Sequence, residues 1–514
     1  MRSTFHGLEV AKTGIFAQQN ALYTTGHNIS NANTRGYTRQ VVNMQAQRAL
    51  PYPGLQASKN PGQLGTGAIV TDIARIRESY LDVQYRNEIK HAGYWQAREE
   101  TLEKIELILM EPSDSGLSNT LDRFWASWQD LAKEPEASAA RVVVVERAQA
   151  VIETLASMRT GLINQQKDLN NVISTKVAEV NSLMTQIRDL NDQIGRIEPH
   201  GYNANDLKDQ RDVLIDDLAK LVNVDSVQPV LSADGRDTGM VRILAGNVAL
   251  VDGRQQSEMG FVANEYTGLY DVTYNGARAE LVRGEILGLL ESRGENIYPG
   301  GVIAPGVEPE VGGIINDVIA HIDMLAVELA KQINAIHSTG LNQDDIKNGN
   351  TIPGSGEGLL FFIDKEHYER TGEFISPTDS GNFMIHPEIS KSLDKIAAAQ
   401  SGAVGDGTNA NAIASLKFHT VSSFPETATF DDFYRNLLAE IGVQVTEAGR
   451  LGDNSQVMVD QVENRRQSVS GVSLDEEVSN MIKFQHAYNA SSRMITTMDE
   501  ILDKVINGMG IVGR

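Results

Sequence analysis

Histidines and acidic side chains are the residues of this chain that could activate water or hold a metal, and their spacing supports neither role. The ten histidines are scattered, and no His-Glu-x-x-His pair sets two nitrogen ligands on one helical face with a base between them. Asp234, Gly235 and Asp237 begin like an acidic calcium loop, but the later ligands and the closing glutamate are missing, so a hairpin turn is expected. Ser355 lies between Gly354 and Gly356 without the Gly-x-Ser-x-Gly spacing of a nucleophile elbow, and reads as a turn. Gly62, Gly65 and Gly67 fall in a Pro/Gly-rich stretch with no Gly-Lys-Ser/Thr after them, which makes them loop residues rather than a phosphate cradle. His337 and His386 flank irregular segments and are expected to be hydrogen-bonded or solvated. The chain has no cysteine, which excludes disulfides, thiolate metal sites and a thiol nucleophile. No enzymatic activity, cofactor or metal is expected.

The strongest pattern is hydrophobic and sits at the two ends. Leu8, Ala11, Ile15, Leu22 and Ile29 share one stripe of 3-4 spacing, interrupted by Gln18 and Thr25. Leu474, Val478, Met481, Tyr488, Ile495, Leu502, Ile506 and Met509 repeat the device. Each stripe is the narrow seam of a coiled coil, and a lone helix with such a seam is unstable until something covers it. This pattern points to assembly rather than catalysis, and the spacing alone equally allows both helices to fold onto one core of their own chain.

At 514 residues the chain can form three or four domains. Its 45 Lys plus Arg against 68 Asp plus Glu give a formal charge of −23, which argues against a nucleic-acid or anionic-membrane partner. No stretch approaches the roughly 20 apolar residues of a membrane span, and Met1 to Val10 lacks the apolar run of a secretory signal.

Between the ends the elements alternate. The first helix is expected to stop between Thr25 and Asn28, where Gly26 and the nearby asparagines favour a turn. Short strand signals occupy Ala68 to Ile76, and helical periodicity runs from Ser79 to Leu109 and again through Phe124, Trp125, Trp128 and Leu131. From Val151 to Ile197 a heptad places Val151, Leu155, Met158, Leu162, Leu169, Val172, Leu183, Ile187, Leu190, Ile194 and Ile197 on a seam, with Gln165, Lys176 and Glu179 as its polar exceptions. At about 1.5 Å per residue this is a rod of roughly 70 Å, favouring a shaft over a place in an ordinary bundle. After Leu221 alternation takes over, with turns at Asp234-Gly235 and Asp252-Gly253, and predicts a β-rich insertion reaching Arg283. Ile314 to Ile336 is again helical, an irregular region with Phe361, Phe362, Phe374 and Phe383 follows, and the chain from Leu393 on is mostly helix. The fold class expected is mainly α with β insertions.

The segment Asn28-Ile-Ser-Asn-Ala-Asn-Thr-Arg-Gly-Tyr-Thr-Arg-Gln40 closely resembles the loop after the N-terminal helix in axial proteins of the bacterial flagellum, and its Tyr-Thr-Arg-Gln ending looks most like the hook-associated protein 1 family. Asn205-Asp-Leu-Lys-Asp-Gln-Arg-Asp212 looks like that family's helix before its β insertion. Gly471-Val-Ser-Leu-Asp-Glu-Glu477 with Gln485-His-Ala-Tyr488 resembles its C-terminal signature; Gly284 to Leu290 and Ile333 to Gly340 are also similar. The resemblance spans the chain and matches least over Gly349 to Pro387.

It implies a structural subunit at the hook-filament junction. The terminal helices (1–40 with 474–514) would pair into an inner coiled-coil domain, with Leu8, Ala11, Ile15, Leu22, Ile29, Leu474, Val478, Met481, Tyr488, Ile495, Leu502 and Ile506 as assembly residues. A helical rod domain would comprise 41–221, 284–340 and 388–473, an outer β-rich domain 222–283, and 341–387 is left unassigned. The implied partners are copies of itself, the hook protein, the second hook-associated junction protein and a cytosolic export chaperone at the C-terminal end. The implied location is extracellular, on the flagellum, after type III export without signal cleavage. A hook or distal-rod subunit is the alternative, and an axial protein with an enzymatic insert a more distant one. Residues 1–40 carry four basic and one acidic side chain and 474–514 four basic and six acidic, a difference of sign that favours their pairing with each other.

Overall fold

The computed structural model describes residues 5–50, 64–109, 113, 116–298, 303, 308–424 and 427–508. Gly62, Pro112 and Met509 lie outside the described residues. The chain begins with α1 (His6–Ser30), a bulged antiparallel hairpin of β1 (Gln40–Ala46) and β2 (Ala68–Arg75), then α2 (Ser79–Leu109), α3 (Leu117–Lys133), α4 (Ser138–Ile197) and α5 (Asn205–Leu221). Two small antiparallel sheets follow. One is β3 (Ser226–Leu231), β4 (Asp237–Ala245), β5 (Val248–Asp252) and β6 (Gln255–Gln256), and the other β7 (Met259–Ala263), β8 (Tyr270–Tyr274) and β9 (Ala277–Arg278). The chain returns through α6 (Glu285–Arg293), the pair β10 (Glu295–Ile297) and β11 (Glu310–Gly312), and α7 (Ile314–His337). The region 341–387 holds α8 (Gln343–Lys347), β12 (Phe362–Asp364), α9 (Lys365–Thr371) and β13 (Phe383–Ile385). Then come α10 (Pro387–Lys391), α11 (Thr408–Ser415), α12 (Phe430–Ser470) and α13 (Leu474–Asp503). The class is the expected one, mainly α with β insertions.

The spine is α4, whose 60 residues span about 90 Å. Its buried face runs Val151, Leu155, Met158, Leu162, Gln165, Leu169, and then Ile173, Val177, Val180, Met184, Ile187, Asn191, Ile194. Two consecutive steps of four after Leu169 shift the frame by one residue, a stutter that keeps one face of a nearly straight helix toward its neighbours. This corrects the expected seam. Val172 is 39% and Ile197 36% exposed, Leu190 is half-buried, and Lys176 turns outward to Glu179 and Glu285. A shaft paired with one long partner is also not what forms: α4 is covered in turn by α3, α7, α6, α5 and the small sheets. Asparagines stitch the sheets to it. Asn170 Nδ2 donates to the Gly268 carbonyl, Asn181 exchanges two bonds with the Met259 backbone, and Asn191 Nδ2 reaches the carbonyls of Val241 and Gly253.

The core is one continuous cluster along this spine. At its aromatic end Trp128 packs edge-on to Phe361, Phe362 touches Phe124 and Phe383, and Trp125 meets Phe430. The region 341–387 is thereby anchored, and Asn334 secures it by donating to the Phe362 carbonyl while accepting from the Phe361 and Phe362 amides. Phe374 alone of the four phenylalanines stays largely exposed, stacked on Tyr368. The second long pairing is antiparallel, α2 with α12. It starts from a Thr429 cap on the Asp432 amide and ends with Arg466 beside Asp82.

Candidate functional site

The third long pairing joins the chain ends. Alpha-helices α1 and α13 run antiparallel, with Gly7 against Met498, Gly14 against Ser491 and Asn28 against Glu477. The buried residues of α1 are Ala11, Ala17, Ala21, Thr24, Thr25 and Asn28, and on α13 only Glu477 is buried. Leu8, Ile15, Leu22 and Ile29 on α1, and Met481, Tyr488, Ile495 and Leu502 on α13, are half-buried. Leu474, Val478 and Ile506, expected on the seam, are 52%, 48% and 66% exposed. The contact line of α1 is built of small residues, among them Gly7, Ala11, Gly14, Ala17 and Ala21. Helix α1 also continues to Ser30, past its expected end, because Asn28 turns its side chain into the tertiary structure instead of breaking the helix.

At the base of this pair the three segments singled out by sequence converge: 28–40, 205–212 and 471–477. Asn28, 1% exposed, uses every hydrogen-bonding position of its amide. Its Nδ2 donates to the Gln40 carbonyl at 2.9 Å and to Glu477 Oε2 at 3.0 Å, and its Oδ1 accepts from Tyr37 Oη at 2.7 Å and the Gln40 amide at 3.0 Å. Burial, followed by the carboxylates of Asp206, Asp209 and Glu477, raises the Tyr37 phenol well above its ordinary value, so it stays a donor. Arg39 completes the cluster with Nε on Glu477 Oε1 at 2.8 Å and Nη1 on Glu476 at 2.7 Å. Among the described residues, these are the ion pairs that cross between the two terminal segments, so the attraction expected from their opposite charges is concentrated at the base. Gly36 makes the loop possible. Its φ is +76°, and a Cβ there would stand 2.0 Å from Val213 Cγ2.

Beneath the loop, α5 presents Asp206, Asp209, Asp212 and Asp216 at 3-4 spacing along one face. Asp209 Oδ2 accepts from the Thr38 amide at 2.8 Å and its Oδ1 from Arg75 at 2.6 Å; Arg75 also bonds Asp212 at 3.0 Å. Arg77 chelates Asp82 at 2.7 and 2.9 Å. Arg86 and Arg466 approach Asp216 from α2 and α12 at 2.7 and 2.6 Å. Four guanidiniums thus face four carboxylates, those of Asp82, Asp209, Asp212 and Asp216, each no more than 16% exposed. Burial pushes Asp212 up, but Arg77, Arg75, Arg86 and Arg211 outweigh it and hold its pKa at about 2. Its neighbour Asp209 is raised, because burial there outweighs Arg75 and the Thr38 amide. On the opposite face Arg211 bonds Asn191 Oδ1 at 2.9 Å and the Gly239 carbonyl at 2.7 Å, tying the same helix to α4 and β4. A cleft of about 580 Å³ remains between the loop 32–38 and the turn from α12 to α13, with Arg77, Asp216 and Arg466 in its wall.

Each of these four carboxylates meets at least one guanidinium, while Arg211 is held by neutral oxygens, and the whole is a polar joint between the chain ends and the body. Sequence reading located its segments through resemblance but not its partners: Arg75, Arg77, Arg86 and Arg466 lie on other elements. The aspartate stripe of α5 was the one local signal of a charged face.

Comparison with known proteins agrees with this organisation. Residues 102–352 match the helical domain of flagellar hook-associated protein FlgK, residues 464–508 the C-terminal family of flagellar basal body rod FlgEFG proteins, and residues 8–38 the flagella basal body rod family. The chain is 36% identical over 534 aligned residues to flagellar hook-associated protein 1 of Bacillus subtilis, covering 100% of both. It is 25% and 26% identical to the proteins of that name from Salmonella typhimurium and Escherichia coli, covering 97% of this chain and 98% of each. The solved structure of the flagellar hook junction protein FlgK from Burkholderia pseudomallei superimposes with a TM-score of 0.56 at 14% identity, over 76% of this chain and all of that one, a likeness of fold. With full-length identity at this level and the rod-type segments meeting at one joint, the chain belongs to the flagellar hook-associated protein 1 family.

Proposed function

We propose that this chain is the structural subunit that joins hook to filament in a bacterial flagellum. The observation that carries this is the full-length similarity to hook-associated protein 1, with the rod-type segments 8–38 and 464–508 forming the α1–α13 pair. In this reading the pair is the inner, self-assembling part, and its partners are further copies of the chain, the hook protein and the second hook-associated junction protein. Two features support it. On α13 only Glu477 is buried, and Leu474, Val478 and Ile482 form an i, i+4 row that is about half exposed. The helices around α4 form the rod, and the two small sheets of 222–283 pack along the half of α4 that adjoins α5. Export proceeds unfolded through the type III apparatus without signal cleavage, with a chaperone holding the C-terminal end. No described helix is long and apolar enough to cross a membrane.

Immunogold labelling of intact flagella with antibody to the 222–283 sheets tests the placement. Label confined to the hook-filament boundary is expected; label along the hook or at the rod would assign the chain to the alternative axial position.

A further inference from the structure

The apolar contacts of the α1–α13 pair leave its register weakly determined. From Gly7/Met498 to Gly14/Ser491 both helices advance seven residues, and from there to Asn28/Glu477 both advance fourteen. Along this line α1 offers glycine, alanine and threonine, and on α13 none of Met481, Phe484, Tyr488, Ser491, Ile495, Met498 or Leu502 is fully buried. A row of small residues accepts flexible side chains in more than one alignment, so a slip of one heptad, about 10.5 Å, keeps inner face against inner face. At the base the situation differs. Asn28, Tyr37, Arg39, Gln40 and Glu477 are bonded to one another with directional geometry and little solvent. A heptad slip would set the Glu477 carboxylate against Ala21 or carry it beyond the end of α1, away from Asn28 Nδ2 and Arg39 Nε.

We propose that the buried Asn28–Glu477–Arg39 cluster sets the register of the terminal helix pair, and with it which apolar residues the pair presents outward. Buried polar groups that fix register at the expense of stability are known in coiled coils, because each wrong alignment strands a charge or an amide away from water. Register is a property of the isolated chain and is independent of the assembly role.

The absence of cysteine makes the test direct. A Cβ built at Gly14 lies 3.8 Å from Ser491 Cβ, the usual separation in a disulfide. The full-length double variants G14C/S491C, G14C/F484C and G14C/M498C therefore report the native register and the two one-heptad slips. With the cluster intact, oxidation is expected to close the first pair only. In the background N28L/E477L the first pair should lose its exclusivity and at least one slipped pair should close. Glu477→Gln, which keeps an acceptor for Asn28, should still favour the native pair. The proposal is overturned if N28L/E477L closes only the native pair as completely as the parent. It is equally overturned if none of the three pairs closes, which would make the cluster a clamp that supplies affinity rather than alignment.

Discussion

Asp212 is the carboxylate on which the polar joint depends most, and Asp212→Asn tests that dependence. It lies 3.0 Å from Arg75 Nη1, 3.4 Å from Arg77 Nη1 and 3.7 Å from Arg86 Nη2. Its pKa falls from the ordinary 3.8 to about 2, which at about 1.4 kcal/mol per unit corresponds to roughly 2 kcal/mol. The folded value is the depressed one, so this stability is present above about pH 4 and is lost as the pH falls through 2; about half of it is gone by pH 3. Asp209 acts in the opposite sense, because its raised value means that protonation returns some stability on acidification. The amide variant leaves four guanidiniums facing three carboxylates. Breaking a buried pair in this way costs about 3–5 kcal/mol at neutral pH. Hydrogen exchange of the α5 amides reads the local opening free energy directly. Protection at pH 6 should fall by roughly two to four orders of magnitude, and the gap between parent and variant should narrow by about 1 kcal/mol at pH 3. Protection of the variant within threefold of the parent at pH 6, or a gap that does not change with pH, would refute the account.

Three further outcomes follow from the same physics. His337 is buried, donates from Nδ1 to the Leu359 carbonyl and accepts the Ala397 amide on Nε2, and burial pushes its pKa down to about 4. The neutral ring therefore contributes about 3 kcal/mol that is present above pH 6.5 and lost as the pH falls toward 4; its NMR resonances should stay flat from pH 8 to 5.5, and a midpoint near 6.5 would contradict this. Ile187→Asp, at a fully buried site of α4, should cost about 3–5 kcal/mol in urea unfolding while Val172→Asp costs under about 0.5, and equal costs would restore the unshifted heptad. Limited proteolysis should cut within α1 and α13 before α4, because the former are covered on one side only; equal survival would show that the pair is as protected as the core.

Periodicity revealed the long helices because each needs only one apolar stripe, and alternation revealed the β insertion for the same reason. It misjudged the middle of α4, where Val172 fits a heptad but the true buried residue is Ile173, and it met the buried face again at Leu183, Ile187 and Ile194. A change from 3-4 to 4-4 steps is invisible while both positions carry an apolar side chain, and only the outward Lys176 and Glu179 hinted at it. The terminal stripes were legible only in part. Leu474 and Val478 are more hydrophobic than Gly14 or Ala17, yet the latter lie on the contact line, since close helix approach selects for small volume. The region 341–387 was illegible because its order comes from single tertiary anchors, Asn334 and the Trp128–Phe361 contact, that no local pattern announces.

The polar character of the joint follows from its position. Helix α5 meets the loop of the N-terminal segment on its aspartate face and α4 with β4 on its Arg211 face, so it connects the chain ends to the β insertion within a single helix width. An apolar interface there would be at least as stable, since exchanging buried ion pairs for packed hydrophobics is often neutral or favourable. It would also be tolerant of sliding, whereas Arg75, Arg86 and Arg466 arrive from β2, α2 and α12 and reach the carboxylates of α5 only when all three elements are in place. Directional bonds thus make the base of the terminal pair an all-or-none arrangement. The outer length of the pair, held by small residues and half-buried flanks, remains adaptable to whatever lies against it.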